Sequence, residues 1–251
     1  MADKETLRIA AIADIHTKRT AQAEMQPVFA RISESADVLL ICGDLTDYGT
    51  IEEAQLLARD IKTSLRVPAI AVLGNHDYES GKHEEIAQIM SDVGIRMLDG
   101  ESHEIRGVGF AGVKGFGGGF GRRAIGAWGE NTIKVFVREG MEEALKLEKA
   151  LQRLRTPTKI AVLHYAPIHA TVVGEPPEIY PFLGSSRFEE LIDRYRVTYA
   201  FHGHAHRGSP EGRTKGNTTV YNVAMPLLSV SFPDQPPFRL VEVPVGEPAW
   251  T

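Results

Sequence analysis

Cysteine is nearly missing from this chain of 251 residues: Cys42 is the only one. No disulfide can close within the chain, so its stability has to come from a packed core. Cys42 ends the apolar run Val38-Leu39-Leu40-Ile41-Cys42, where a small buried side chain is expected rather than a reactive thiol. Long apolar runs are missing too. No stretch approaches the roughly 18 uncharged apolar residues of a membrane span. The opening Met1-Ala2-Asp3-Lys4-Glu5-Thr6 lacks the apolar segment of a signal peptide. A soluble, cytoplasmic protein with no membrane partner is the expectation. Charge is close to balanced, at -5, which gives no strong global field toward nucleic acid or acidic lipid. The glycine-rich stretch Gly115-Phe116-Gly117-Gly118-Gly119-Phe120-Gly121 has no Gly-Lys-Ser/Thr ending. That excludes a P-loop.

What is present can bury a large core, since 43% of the residues are hydrophobic. Neither repeats nor a linker interrupts the chain, so residues 1–251 are expected to form a single domain. Leu7–Ala13, Val38–Ile41 and Ala69–Leu73 read as strands, separated by helical stretches over Ala21–Glu34 and Ile51–Ser64. Continuous apolar strands joined by amphipathic helices predict a parallel sheet covered on both faces. Further helices are expected over His83–Val93, Val137–Leu154 and Arg187–Tyr195. The stripe Met141, Ala144, Leu145, Leu147, Leu151, Leu154 is expected to face the core. Lys159–Leu163 and Thr198–Phe201 read as strands. Thr218–Ala224 and Arg239–Val243 read as closing strands of a second sheet.

Five polar clusters sit where strands should end: Asp14-Ile15-His16, Gly43-Asp44, Gly74-Asn75-His76-Asp77, His164 and Gly203-His204-Ala205-His206. The first three are spaced by about one βαβ unit of ~30 residues, which puts them at the C-terminal ends of neighbouring parallel strands, where open α/β sheets place ligands. Together they offer carboxylate, amide and imidazole donors suited to two metal ions. Two close cations need a shared anionic ligand, and Asp44 is the natural candidate. Asn75 adds a neutral amide oxygen. Gly43, Gly74 and Gly203, each before a donor, are expected to serve tight turns.

The ordered set Asp-x-His, Gly-Asp, Gly-Asn-His-Asp, His, Gly-His-x-His, running from Asp14 to His206, resembles the calcineurin-like metallophosphoesterase superfamily. The resemblance implies an α/β fold, a four-layer α/β/β/α sandwich with two mixed sheets flanked by helices and a dimetal site at the strand C-terminal ends. It implies one metal held by Asp14, His16, Asp44 and His206. The other would be held by Asp44, Asn75, His164 and His204, with Asp44 bridging. A metal-bound hydroxide would attack the phosphorus of a phosphomonoester or phosphodiester. His76, beside Asn75 at the catalytic turn, would assist the leaving group, and Asp77 would orient that histidine or the loop. The metals would be two divalent transition ions; manganese, iron and zinc all accept such mixed donors.

Other residues divide between function and packing. His202 is expected to serve strand packing or to support the ligands; His83 and His103 are expected to be solvated. His169 could reach substrate or brace its loop. Arg122 and Arg123 suit phosphate, though solvated loop charges would look the same. Phe116, Phe120 and Trp128 could stack on a base or simply pack. The substrate expected is a small phosphodiester or nucleotide, with no obligate protein partner. A metal-dependent nuclease would need a basic groove from Arg122, Arg123, Arg207, Arg213 and Lys215. A non-catalytic protein-binding scaffold on the same fold is the remaining alternative.

Overall fold

In the first strand, Leu7, Ile9 and Ala11 pack on one side and Ala10 and Ile12 on the other, and all five are fully buried. The same division holds for Val38, Leu40 and Cys42 against Leu39 and Ile41, and for Ile70 and Val72 against Ala69 and Ala71. A strand covered on both faces has no polar side, which is why these runs are uninterrupted in the sequence. The computed structural model describes residues 6–245, so the opening segment Met1–Glu5 lies outside the described residues.

In chain order the elements are β1 (Thr6–Ile12), α1 (Gln26–Ser35), β2 (Val38–Cys42), α2 (Ile51–Ser64), β3 (Ala69–Val72), α3 (His83–Asp92), β4 (Ile95–Met97), β5 (Glu101–Ile105) and β6 (Val108–Gly112). They continue with α4 (Asn131–Arg153), β7 (Thr158–Val162), α5 (Tyr180–Leu183), α6 (Ser186–Arg194), β8 (Tyr199–His202), β9 (Glu211–Arg213), β10 (Thr219–Asn222), α7 (Met225–Ser231) and β11 (Arg239–Pro244). One sheet runs β11-β1-β2-β3-β4 and the other β5-β6-β7-β8-β10-β9. Both are mixed. The central strands β1 to β4 and β6, β7, β8, β10 are parallel, while β11, β5 and β9 are antiparallel edges.

Three apolar layers hold these sheets. Phe29, Ile32, Leu57, Ile61, Ile86 and Met90 pack α1, α2 and α3 on the outer face of the first sheet. Ile9, Leu40, Val72, Phe110, Val162 and Phe201 fill the space between the sheets. Leu147, Leu151, Phe188 and Ile192 pack α4 and α6 on the outer face of the second. The result is the four-layer α/β/β/α arrangement.

Some local expectations need correction. Residues Arg239–Pro244 do not close the second sheet; β11 pairs antiparallel with β1 at the edge of the first. The helix read from Ala21 starts at Gln26, because residues 13–25 form the loop after β1 and Pro27 supplies the first helical turn. Helix α4 starts six residues earlier than expected, at Asn131. Its buried face is Val137, Gly140, Glu143, Leu147, Ala150 and Leu151, leaving Met141 and Leu145 half exposed. Glu143 turns inward because its carboxylate accepts the Gly115 amide and pairs with Lys146.

Candidate metal centre

Every candidate donor leaves from the C-terminal end of a parallel strand: Asp14 and His16 after β1, Asp44 after β2, Asn75 after β3, His164 after β7, and His204 and His206 after β8. Cross-sheet contacts bring these ends together. Ala13 forms a parallel bridge with Ala224. The backbone at Gly43 lies so close to His164 that a side chain there would meet its Nδ1 at 2.5 Å.

The glycines correct the expectation of tight turns. Gly43 has φ +87°, but Gly74 and Gly203 do not lie in the left-handed region. A Cβ on Gly74 would sit 2.1 Å from Asp44 Oδ1, and one on Gly203 would sit 2.3 Å from Asp14 Oδ2. These two positions are glycine because a carboxylate occupies the space. The unusual backbone falls on the donors instead: Asp14, His16, Asp44 and His204 all have φ between +47° and +69°. Each such residue costs of order 1–3 kcal/mol, and such strain clusters at functional sites.

The donors fall into two groups. Single ligand atoms of Asp14, His16 and His206 lie within 4.8 Å of one another, as do those of Asp44, His164 and His204. In the first group His206 Nε2 is 3.0 Å from Asp14 Oδ1 and 3.5 Å from His16 Nε2. In the second, His164 Nε2 is 2.9 Å from Asn75 Oδ1. Asp44 lies between the groups: Oδ2 is 3.7 Å from His16 Nε2 and Oδ1 is 3.4 Å from His164 Nε2.

The electrostatics fit cations. Asp14 and Asp44 are buried, and burial, with Asp14 and Asp77 nearby, pushes the Asp44 carboxyl up to about 9. Burial also lowers His16 and His164, and it takes His204 down to about 3, so these imidazoles are neutral donors. Only His206 is raised, by its hydrogen bond to Asp14. His16 Nδ1 is buried without a hydrogen-bond partner. A buried Asp44 carboxyl whose ionised form is favoured by nearby positive charge, with neutral imidazoles around it, matches the donor chemistry of divalent ions.

His76 is 36% exposed at its side chain, and its ring meets that of His16 edge-on at 4.5 Å. Its Nδ1 donates to the Asp47 carbonyl at 2.6 Å, which leaves Nε2 free to carry or release a proton. Asp77 is fully buried and accepts from the amides of Leu45, Thr46 and Gly74 and from the Thr46 hydroxyl. It ties the Asp44 loop to the turn before Asn75.

Sequence reasoning missed Asp47, which with His16 and His76 makes a third close group and places Oδ1 3.5 Å from His16 Nδ1. The signal was its place three residues after Asp44. It also missed Phe182, whose carbonyl accepts from His204 Nε2 at 3.2 Å.

Other candidates lie away from the donors. His202 is buried, taken down to about 4, and its Nε2 contacts Thr171 Oγ1 at 2.8 Å. His83 is not freely solvated: it stacks on Tyr78 at 4.1 Å. His103 is half-buried on β5. His169 is exposed between Phe120 and Tyr180. Arg122 and Arg123 are exposed, and Trp128 is 73% exposed. Arg207 is exposed, but Arg213 turns to Asn217 and Lys215 to Glu189. Phe116 packs against Phe136 and Tyr165.

Comparison with known proteins adds independent findings. The family model described as calcineurin-like phosphoesterase matches residues 7–208. A probable cyclic nucleotide phosphodiesterase of Synechococcus is 28% identical over 256 residues, covering 97% of this chain and 87% of that protein. A probable glycerophosphodiester phosphodiesterase, GpdQ, of Arcobacter nitrofigilis is 24% identical over 211 residues. The match takes in 78% of this chain but only 63% of that relative's length. Among solved structures, the phosphopantetheinyl hydrolase of Mycobacterium tuberculosis superposes with a TM-score of 0.67 at 15% identity, covering 97% of each chain. At that identity the likeness concerns the fold alone.

Proposed function

The chain belongs to the calcineurin-like phosphoesterase family, a family of metal-dependent hydrolases acting on ester bonds, and from that premise we propose that it is a dimetal phosphodiesterase of small molecules. Residues 1–251 act as one catalytic unit in this reading, supported by the apolar layer that both sheets share. Asp14, His16, Asp44 and His206 hold one ion; Asp44, Asn75, His164 and His204 hold the other. When bound, the pair would supply Lewis acidity to the phosphoryl oxygens and to the attacking water.

The chain's own groups do the rest. Asp14 and Asp44 carry the negative charge that retains the cations, and the neutral histidines add donors without repulsion. The Asn75 amide oxygen completes the second set. His76 keeps its Nδ1 proton on the Asp47 carbonyl, so its Nε2 can deliver a proton to the departing oxygen. The leaning toward a phosphodiester or nucleotide is supported by the names of the two relatives, both phosphodiesterases. No helix among the described residues is long and apolar enough to cross a membrane.

The observation that carries this reading is Asp44, with its two oxygens turned to histidines of different groups. The test is hydrolysis of bis-p-nitrophenyl phosphate by chelated protein before and after Mn²⁺, Fe²⁺ or Zn²⁺ is returned. Turnover should need the metal, and Asp44→Asn should lose turnover together with both bound ions. Metal-independent turnover, or an active Asp44→Asn protein, would sink it.

A further inference from the structure

Lys114 is a buried ammonium that the proposed chemistry does not use. It directly follows Val113 on the β6 side, and only 8% of its surface is exposed. Its Nζ donates to the Gly115 carbonyl at 2.9 Å. Around it stand three aromatic rings: Phe116 at 4.9 Å, Tyr78 at 5.4 Å and Tyr165 at 5.4 Å from Nζ to centroid. An ammonium within about 6 Å of a ring face is attracted by the ring's negative quadrupole, more strongly when water is excluded.

The three rings come from three different segments. Tyr78 closes the short turn His76–Tyr78 that carries the proposed acid. Tyr165 follows His164, and its ring packs on that of His204 at 4.5 Å. Phe116 lies in the glycine-rich stretch that begins at Gly115. The backbone of Lys114 makes the same connection, since its carbonyl accepts the amides of both His164 and Tyr165, at 3.0 and 3.1 Å. One residue thus touches the His76 turn with its side chain and the His164 turn with both side chain and backbone.

We infer that Lys114 is a positioning residue that holds the His76 turn in register with the metal-ligand turn at His164–Tyr165, through the rings of Tyr78 and Tyr165. An apolar side chain of similar length would fill the space, but it would bring no positive charge to the faces of the surrounding rings and only the weaker contacts of an uncharged group. The turn bearing His76 would then lose one of its ties to the second sheet while Asp44, Asn75 and His164 kept their own contacts. The consequence is selective. Proton delivery to the leaving group suffers, and metal retention does not.

This rests on the reading of His76 as the acid, so the test separates the two. Turnover of a phosphodiester with a good leaving group, bis-p-nitrophenyl phosphate, is compared with that of one with a poor leaving group, a glycerophosphodiester, in wild type, Lys114→Met and Lys114→Arg. Lys114→Met should lower kcat on the poor leaving group at least tenfold more than on the good one, with metal content per chain unchanged. Lys114→Arg, which keeps a cation on the rings, should return that ratio toward wild type. Should Lys114→Met not fold, Tyr78→Leu removes only the ring on the His76 side and carries the same expectation. A wild-type ratio in the folded variants, or equal losses on both substrates, overturns the inference. If His76→Ala itself leaves the ratio unchanged, the acid assignment fails instead.

Discussion

His164 Nδ1 lies 2.9 Å from the carbonyl oxygen of Cys42, so a side chain leaving one sheet is hydrogen-bonded to the last residue of β2 in the other. The carbonyl can only accept, so Nδ1 carries the proton and Nε2 keeps the lone pair that a cation would take. That nitrogen faces Asn75 and Asp44. A backbone group thus sets the tautomer of a proposed ligand, as outer partners of metal-binding histidines do.

His164→Ala removes that nitrogen and leaves a buried carbonyl without its donor. Loss of a partner to a ligand typically costs 10–100-fold, so loss of the ligand itself should cost more than about 100-fold in turnover. The orphaned carbonyl should lower stability by about 1–3 kcal/mol. Elemental analysis after dialysis should show one ion lost and the other retained. Full metal content in this variant would contradict the grouping of His164 with Asn75 and Asp44.

His76 is treated differently by its surroundings. Its carboxylate neighbour Glu79, at 3.8 Å, is itself exposed, its Nδ1 is fixed on the Asp47 carbonyl, and it stands outside the two donor groups built on Asp14 and Asp44. His76→Ala should therefore retain both ions and lose about 10²–10⁴ in kcat, the span usual for a positioned acid. The loss should be largest for substrates with poor leaving groups. An unchanged rate on a glycerophosphodiester would remove His76 from the mechanism.

Gly74 and Gly203 offer a steric test. An added methyl at either would lie within 2.3 Å of a proposed ligand carboxylate, Asp44 at Gly74 and Asp14 at Gly203. Overpacking of this kind costs typically 1–3 kcal/mol, and here the displaced atom is a donor. Gly74→Ala and Gly203→Ala should each lower Tm and weaken metal binding, measured by thermal scans across a metal titration. Unchanged metal affinity would mean that these carboxylates can shift without consequence.

How legible this was depends on what each residue type signals. The central strands could be read because burial on both faces leaves an uninterrupted apolar run, as in Val38–Cys42. Strand β11 is half exposed on alternate residues. Its partner β1 lies at the other end of the chain, so no local feature says which sheet it joins. Met141 and Leu145 fall off the buried face because α4 turns Gly140 and Glu143 inward, and Glu143 is held there by the Gly115 amide. The donor side chains were visible as residue types at strand ends. The carbonyls of Cys42, Asp47 and Phe182 were not, because every residue has one. Lys114 escaped for a related reason: its three aromatic partners are scattered across the sequence.

The metal-stripped protein should report its own charge imbalance through pH. Asp44, raised to about 9 from an ordinary 3.8, contributes stability that is full below the unfolded value and is lost as pH climbs through the folded one. Asp77, raised by burial, and His206, raised by Asp14, add to this alkaline loss. His202 and His204, held to about 4 and about 3 by burial, act in the opposite sense. Their contribution is full above 6.5 and is lost as pH falls, and His16 and His164, also lowered, add to it. The two trends cross near the ordinary histidine value, so Tm without metal should peak at about pH 6.5 and fall toward pH 9. Added Mn²⁺ should flatten the alkaline side, since a cation favours the ionised Asp44 carboxylate. Thermal scans from pH 5 to 9, with chelator and with metal, give both curves. A chelated protein that gains stability between pH 7 and 9 would mean that Asp44 is already ionised without a cation beside it.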